Sequence, residues 1–177
     1  MSLPHALLTS LAERPGSGSE LANRFDRSIG YFWQATHQQI YRELARLEAA
    51  GWVEAAPVEG ARGGKRRFCI LAPGRAELQR WIGEHQDPPA IRDELMVRLR
   101  AEAVVGPTGL AEELEAVAAR HRDKLAAYLA IEARHYPSAP AAREQRLQHL
   151  VLKAGIEFER QRIALCEEAV AILQTPL

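Results

Sequence analysis

The sequence predicts a mainly α protein of the α+β class. It has two units: an N-terminal one whose helices flank a two-stranded hairpin, and an all-helical C-terminal one. Three observations carry this expectation. Apolar residues recur at helical spacing through most of the chain, as in Ile40, Leu44 and Leu47 or Leu110, Leu114 and Val117. Two strand-length segments flank the glycine-rich run Glu59-Gly60-Ala61-Arg62-Gly63-Gly64-Lys65, which reads as a hairpin tip. A proline pair, Pro88-Pro89, then separates this part from a stretch with no strand signal.

The first helix is expected over residues 4–13, with Leu7, Leu8 and Leu11 on one face and Arg14-Pro15-Gly16 as its stop. Ser17-Gly18-Ser19-Glu20 has capping-box spacing: the hydroxyl accepts from the backbone three residues on while Glu20 reaches back. The second helix follows, striped by Leu21, Ala22 and Phe25, and ends near Ser28-Ile29-Gly30. Thr36-His37-Gln38-Gln39 offers a second capping box and starts a third helix, with Ile40, Leu44 and Leu47 as its core face. Gly51 ends it, because glycine tolerates the left-handed conformation. Strands are expected over residues 52–58 and 66–71. Pro73-Gly74 reads as punctuation before a fourth helix over 75–82, with Leu78 and Trp81 facing inward.

Residues 1–83 are thus expected to form one domain, 84–89 a linker and 90–177 a second domain. In the latter, a helix over 90–103 precedes the break Gly106-Pro107-Thr108-Gly109, where Thr108 is the expected N-cap of a helix running to His135. Glu112 and Glu113 suit its first turn. After a turn at 136–140, a last helix covers 143–173. That helix is apolar on two sides. Leu147, Val151, Ala154, Phe158 and Leu165 lie along one face; Leu152, Ile156, Ile163 and Val170 lie along the other. Two apolar faces need two packing surfaces, and the second is expected to be another copy of the chain. Leu147, Val151, Leu152, Ile156, Phe158, Ile163, Leu165 and Val170 are therefore the candidate dimerisation residues.

Composition removes several function classes. No apolar run approaches the ~20 residues that cross a bilayer, and residues 1–11 lack a secretory signal, so no membrane partner and a cytoplasmic location are expected. Cys69 and Cys166 stand far apart and no CxxC occurs, so no metal is expected. The chain has no HExxH or GxSxG, and Gly60–Gly64 lacks a P-loop ending; neither enzyme activity nor a cofactor is expected. Net charge is zero but uneven. Residues 1–81 carry 11 basic and 8 acidic side chains, and residues 82–177 carry 12 and 15. A mildly basic front half suits a DNA-binding domain joined to one that does not touch DNA.

Three helices, a hairpin with a basic tip and a further helix, in that order, describe a winged helix-turn-helix. The third helix would then enter the major groove. With Ile40 at the centre of the buried face and about 100° per residue, Gln38 and Arg42 point away from the core, and Gln34, Gln39, Tyr41 and Arg46 flank them. Gln pairs bidentately with adenine and Arg with guanine, and Tyr hydroxyls reach phosphates. Arg62, Lys65 and Arg66, with Arg67 beside them, would give the wing its phosphate contacts. The same residue types also serve a solvated helix face. An alternative is therefore a winged-helix protein-interaction module without DNA binding, which the neutral net charge favours and the basic hairpin disfavours.

Ser28-Ile29-Gly30-Tyr31-Phe32-Trp33, with Thr36 and then His37-Gln38-Gln39-Ile40-Tyr41-Arg42-Glu43-Leu44, resembles the PadR family of bacterial transcriptional regulators, closest to its virulence-activator branch. Met1-Ser2-Leu3-Pro4-His5 and Arg92-Asp93-Glu94 fit the same pattern, and the likeness spans nearly the whole chain. The resemblance implies a homodimer on a pseudo-palindromic double-stranded DNA operator. It implies base reading around Gln38, Gln39, Tyr41 and Arg42, and a wing from Arg62 to Arg66. Where many members carry a Trp on the C-terminal helix, this chain reads Arg162-Ile163-Ala164-Leu165-Cys166-Glu167-Glu168, so an aromatic-lined pore is not expected. A small-molecule effector fits a dimer crevice, but the sequence identifies none.

Overall fold

The computed structural model describes residues 3–27, 35–58, 65–87, 90, 92–139 and 142–175. The chain divides into two compact units, Met1–Pro88 and Pro89–Leu177. The N-terminal unit runs α1 (Leu3–Glu13), β1 (Gly16–Ser17), α2 (Gly18–Arg27), α3 (His37–Ala49), β2 (Val53–Pro57), β3 (Arg66–Ile70) and α4 (Ala72–Gly83). Leu7, Leu8 and Leu11 of α1, Leu21 and Ala22 of α2, and Ile40, Leu44 and Leu47 of α3 close one core with Val53 and Phe68. The expected stripes are therefore the buried ones. Gly51 is left-handed at φ +69°, and Thr36 caps α3.

The sheet is antiparallel in the order β1-β3-β2. Pro57 lies on the outer strand β2, where a missing N–H costs the ladder little. Strand β1 was not expected. Its two residues are too few for any periodicity, yet Gly16 and Ser17 pair with Phe68 and Arg67. Helix α4 begins three residues before its expected start. Pro73 sits in its first turn, where the absent N–H would have had no partner anyway. Gly74 is buried there because a Cβ would meet the Trp52 carbonyl oxygen at 2.3 Å. Leu78 packs on the core, and Trp81 stacks on His5 of α1 with ring centroids 4.4 Å apart.

The C-terminal unit holds α5 (Glu94–Val105), α6 (Leu110–His135) and α7 (Arg143–Leu173). Helix α5 starts four residues later than expected, because Asp93 caps it through the Leu95 N–H at 3.1 Å. Asp93 also pairs with Arg162 of α7, whose guanidinium holds its carboxyl below the usual range. Thr108 is not the N-cap of α6. Gly109 is, at φ +82°, while Thr108 donates its N–H (2.9 Å) and its hydroxyl to Glu102 and so closes the α5–α6 turn. Helices α6 and α7 run antiparallel, tied by His121–Glu159, His149–Glu132 (2.7 Å) and Arg122–Glu167 (2.6 Å). Leu110, Leu114, Ala118, Cys166 and Ala169 form their core, and burial pushes the Cys166 thiol up. Among the described residues no helix is long and apolar enough to cross a membrane, and no cluster of His, Cys, Asp or Glu could hold a metal.

Candidate nucleic-acid interface

The candidate interface centres on α3. Its first turn is fixed by a reciprocal capping box: Gln39 N–H donates to Thr36 Oγ1 at 3.2 Å, and Gln39 Oε1 accepts from Thr36 N–H at 2.8 Å. One end of the Gln39 amide is therefore committed to starting the helix. Opposite the buried Ile40–Leu44–Leu47 stripe, Gln38 and Arg42 are exposed, and neither side chain has a hydrogen bond or ion pair among the described residues. Tyr41 stands beside them, half exposed. Arg46, two turns further from the cap, pairs with Glu43 at 3.5 Å. His37 is the first helical residue and is exposed.

Lys65 and Arg66, at the start of β3, lie against α2 and the C-terminal end of α3. Lys65 Nζ lies 3.4 Å from Glu20 Oε1, in the first turn of α2. Glu20 is held at a pKa of about 2, first by the Ser17 N–H and hydroxyl and then by Lys65. The capping box expected at Ser17 is present, with Ser17 N–H to Glu20 Oε2 at 2.8 Å and Glu20 N–H to Ser17 Oγ at 3.3 Å. Arg66 forks onto Glu48 near the end of α3, donates to the Ala55 carbonyl at 3.1 Å and covers the Phe68 ring. Arg66 thus fastens the base of the wing to α3. Arg67 is exposed on β3 and carries no hydrogen bond or ion pair among the described residues. Gln34, Arg62, the rest of the hairpin tip, the motif at 28–33 and the side chain of Phe25 lie outside the described residues.

Sequence reasoning missed the acids of this surface. Glu48 meets Arg66 across 18 residues, a separation with no local signature. It also missed Arg24, whose guanidinium donates to the carbonyls of Ser10 (3.2 Å) and Arg14 (2.7 Å) and so satisfies the end of α1. Burial lowers the pKa of Arg24.

On α7 the eight candidate dimerisation residues fall into three groups. Leu147, Val151 and Phe158 are about half exposed. Leu152, Ile163 and Leu165 are half-buried. Ile156 is buried by its own unit and Val170 packs on the α6–α7 core, so this chain already uses both. Leu150, absent from the expected set, is 61% exposed beside Val151.

A family profile described as the PadR-like family of transcriptional regulators matches residues 7–80, and one described as the virulence activator alpha C-terminal domain matches residues 91–174. The probable transcriptional regulator Rv1176c of Mycobacterium tuberculosis is 41% identical, with 98% of each chain covered. The solved structure of the Vibrio cholerae virulence activator AphA superposes with a TM-score of 0.79 at 33% identity, covering 97% of this chain and 98% of AphA. Bacillus subtilis PadR, solved in complex with operator DNA, gives a TM-score of 0.82 over 98% of this chain and 100% of its own, at 23% identity. The winged N-terminal unit and the helical C-terminal unit are thus the parts of a known architecture. The chain belongs to the PadR-like family, in the AphA-like branch, and is a DNA-binding transcriptional regulator rather than an enzyme.

Proposed function

We propose that the protein acts in the cytoplasm as a homodimer on a pseudo-palindromic operator, reading bases with α3 and holding the backbone with the wing. The observation that carries base reading is the pair Gln38 and Arg42. Both are exposed without partners near the start of a helix whose opposite face is fully buried. A rigid helix with two free bidentate groups near its N-terminal end suits the major groove. Tyr41 is placed to donate to a phosphate. Lys65 and Arg66 exchange Glu20 and Glu48 for phosphate oxygens, and Gln34, Gln39, Arg46 and Arg62 complete the surface.

Dimerisation rests on α7. Leu147, Leu150, Val151 and Phe158 are large, apolar and at least about half exposed within two to three turns of one helix. A second copy presenting the same stripe would bury both, as a two-fold interface requires. The two α3 helices would then meet symmetric half-sites about one helical turn, or a multiple of it, apart.

The test is selection of bound fragments from the source genome, followed by competition with single base-pair variants. Wild type, Gln38→Ala and Arg42→Ala are compared after thermal melting shows each folded. Each substitution should relax preference at one base pair per half-site, at a cost of roughly 1–3 kcal/mol. If both variants keep the wild-type ranking of every sequence, α3 does not read bases through these side chains.

A further inference from the structure

The first turn of α2 has a feature that neither capping nor core packing explains. Gly18 is not one of the glycines in the left-handed region, which among the described residues are Gly51, Gly106 and Gly109. Its backbone would therefore accept any residue, and alanine would favour the helix over glycine. Space is what forbids a side chain. A Cβ on Gly18 would lie 2.3 Å from Tyr41 Cε1 and 3.0 Å from both Cδ1 and Cζ. The tyrosine ring of α3 is laid against the α-carbon of Gly18, and about half of Tyr41 remains exposed. The same turn of α2 is tied to the wing by Glu20 and Lys65.

We propose that Gly18 is a positioning residue for DNA recognition: it gives the Tyr41 ring a seat on α2, and this seat aims the tyrosine at the DNA backbone. The inference rests on the reading of α3 as the DNA-facing helix. Without the seat, Tyr41 would be a half-solvated side chain free to change rotamer beside Arg42. Held in one rotamer, the ring loses no freedom when DNA arrives, and its hydroxyl donates to a phosphate at little entropic cost. A methyl group at position 18 would drive the ring off its seat. That cost would vanish where the ring is absent.

The test is a double-mutant cycle on the full-length chain with Gly18→Ala, Tyr41→Ala and the pair, with Tyr41→Phe and Arg42→Ala as companions. Melting temperature and operator affinity against salt are measured for each. Gly18→Ala should lower the melting temperature in the wild-type background and raise it in the Tyr41→Ala background, where only the helix preference remains. Gly18→Ala should weaken operator binding by about tenfold and leave the salt slope unchanged, because a neutral hydroxyl releases no counterion. It should have no effect on binding once Tyr41 is gone, and Tyr41→Phe should reproduce the weakening. Equal effects of Gly18→Ala in both backgrounds would overturn the proposal, since the glycine would then act without the tyrosine. If Gly18→Ala and Tyr41→Ala leave binding intact while Arg42→Ala weakens it, the proposal is overturned and the DNA-facing assignment of α3 stands. If none of the three changes binding, the assignment of α3 falls too.

Discussion

Arg66 is offered to phosphate only if it can leave Glu48, and that exchange can be measured by substituting the acid. In Glu48→Gln the amide oxygen still accepts from the Arg66 guanidinium, so the wing keeps its tether while the competing charge is gone. The Arg66 side chain is 48% exposed and Glu48 is 34% exposed. At that exposure an ion pair contributes at most about 1 kcal/mol, whatever the quality of its fork geometry. Releasing about 0.5–1 kcal/mol per subunit should tighten binding about two- to fivefold per subunit. In a two-fold dimer with both wings engaged, the gain is squared, to roughly four- to twenty-fivefold. Fluorescence anisotropy on operator and random duplexes at several salt concentrations reads both affinity and slope. Glu48→Gln should tighten binding to both duplexes alike. Arg66→Ala should weaken both alike and make the slope shallower by about 0.9 per lost phosphate contact. Should Glu48→Gln leave affinity unchanged and Arg66→Ala leave the slope unchanged, Arg66 is only a strut between wing and α3, and the phosphate contacts must come from its neighbours.

Three further outcomes are expected. Phe158→Glu should turn a species of twice the chain mass into one of the chain mass in sedimentation equilibrium, because burying a charge in an apolar interface costs several kcal/mol; the monomer should stay folded, since Phe158 is 52% exposed within its own unit. Lys65→Ala should weaken binding to all duplexes and preserve the operator preference that Arg42→Ala narrows, which competition against random DNA would show. Glu77 is held at a pKa of about 2 against a usual 4.5, first by Arg80 and then by His5. The unfolded chain therefore binds this proton where the folded one does not, so the stability is full above about pH 4.5 and drains as pH falls towards 2. Glu77→Gln should flatten the fall in melting temperature across that window, and an unchanged profile would assign the acid sensitivity elsewhere.

What the sequence made legible was local. Thr36 and Gln39 announce the start of α3 by spacing alone, and Ile40, Leu44 and Leu47 announce which side is buried; both readings follow from helix geometry with no knowledge of neighbours. Pro73-Gly74 shows where such reasoning stops. A proline in the first turn of a helix and a proline that breaks the chain look the same in sequence. The backbone approach of Trp52 to Gly74, a contact across the unit, settles that these residues are helical. Thr108 fails for a similar reason. A threonine before a helix is a good cap by type, but here a nearly buried carboxylate, Glu102, takes its hydroxyl first. On α7, periodicity found two apolar faces but could not tell which was inner. That choice is made by α6, which covers Ile156 and Glu159 and leaves Val151 and Phe158 outside.

The neutral net charge, which favoured a protein-interaction module, sums a basic front half and an acidic back half, and even the basic half pairs cations with acids of its own proposed DNA surface. Glu20 holds Lys65, Glu43 holds Arg46 and Glu48 holds Arg66. Three cations of the proposed DNA surface, Lys65 and Arg66 of the wing and Arg46 of α3, are therefore neutralised in the free protein by acids within the same unit, and Arg42 and Arg67 have no partner of this kind among the described residues. Every phosphate contact made by a paired cation must first displace a carboxylate, so the gain from releasing DNA counterions is partly offset. That offset is the same on any sequence. The base contacts proposed for Gln38 and Arg42 carry no such cost and would exist only where the bases match. Pairing Lys65 and Arg66 while leaving the proposed base readers free lowers affinity for random DNA more than it lowers discrimination. On this reasoning the pairing of charges on the N-terminal unit sets how specific a DNA-binding surface can be, rather than whether there is one.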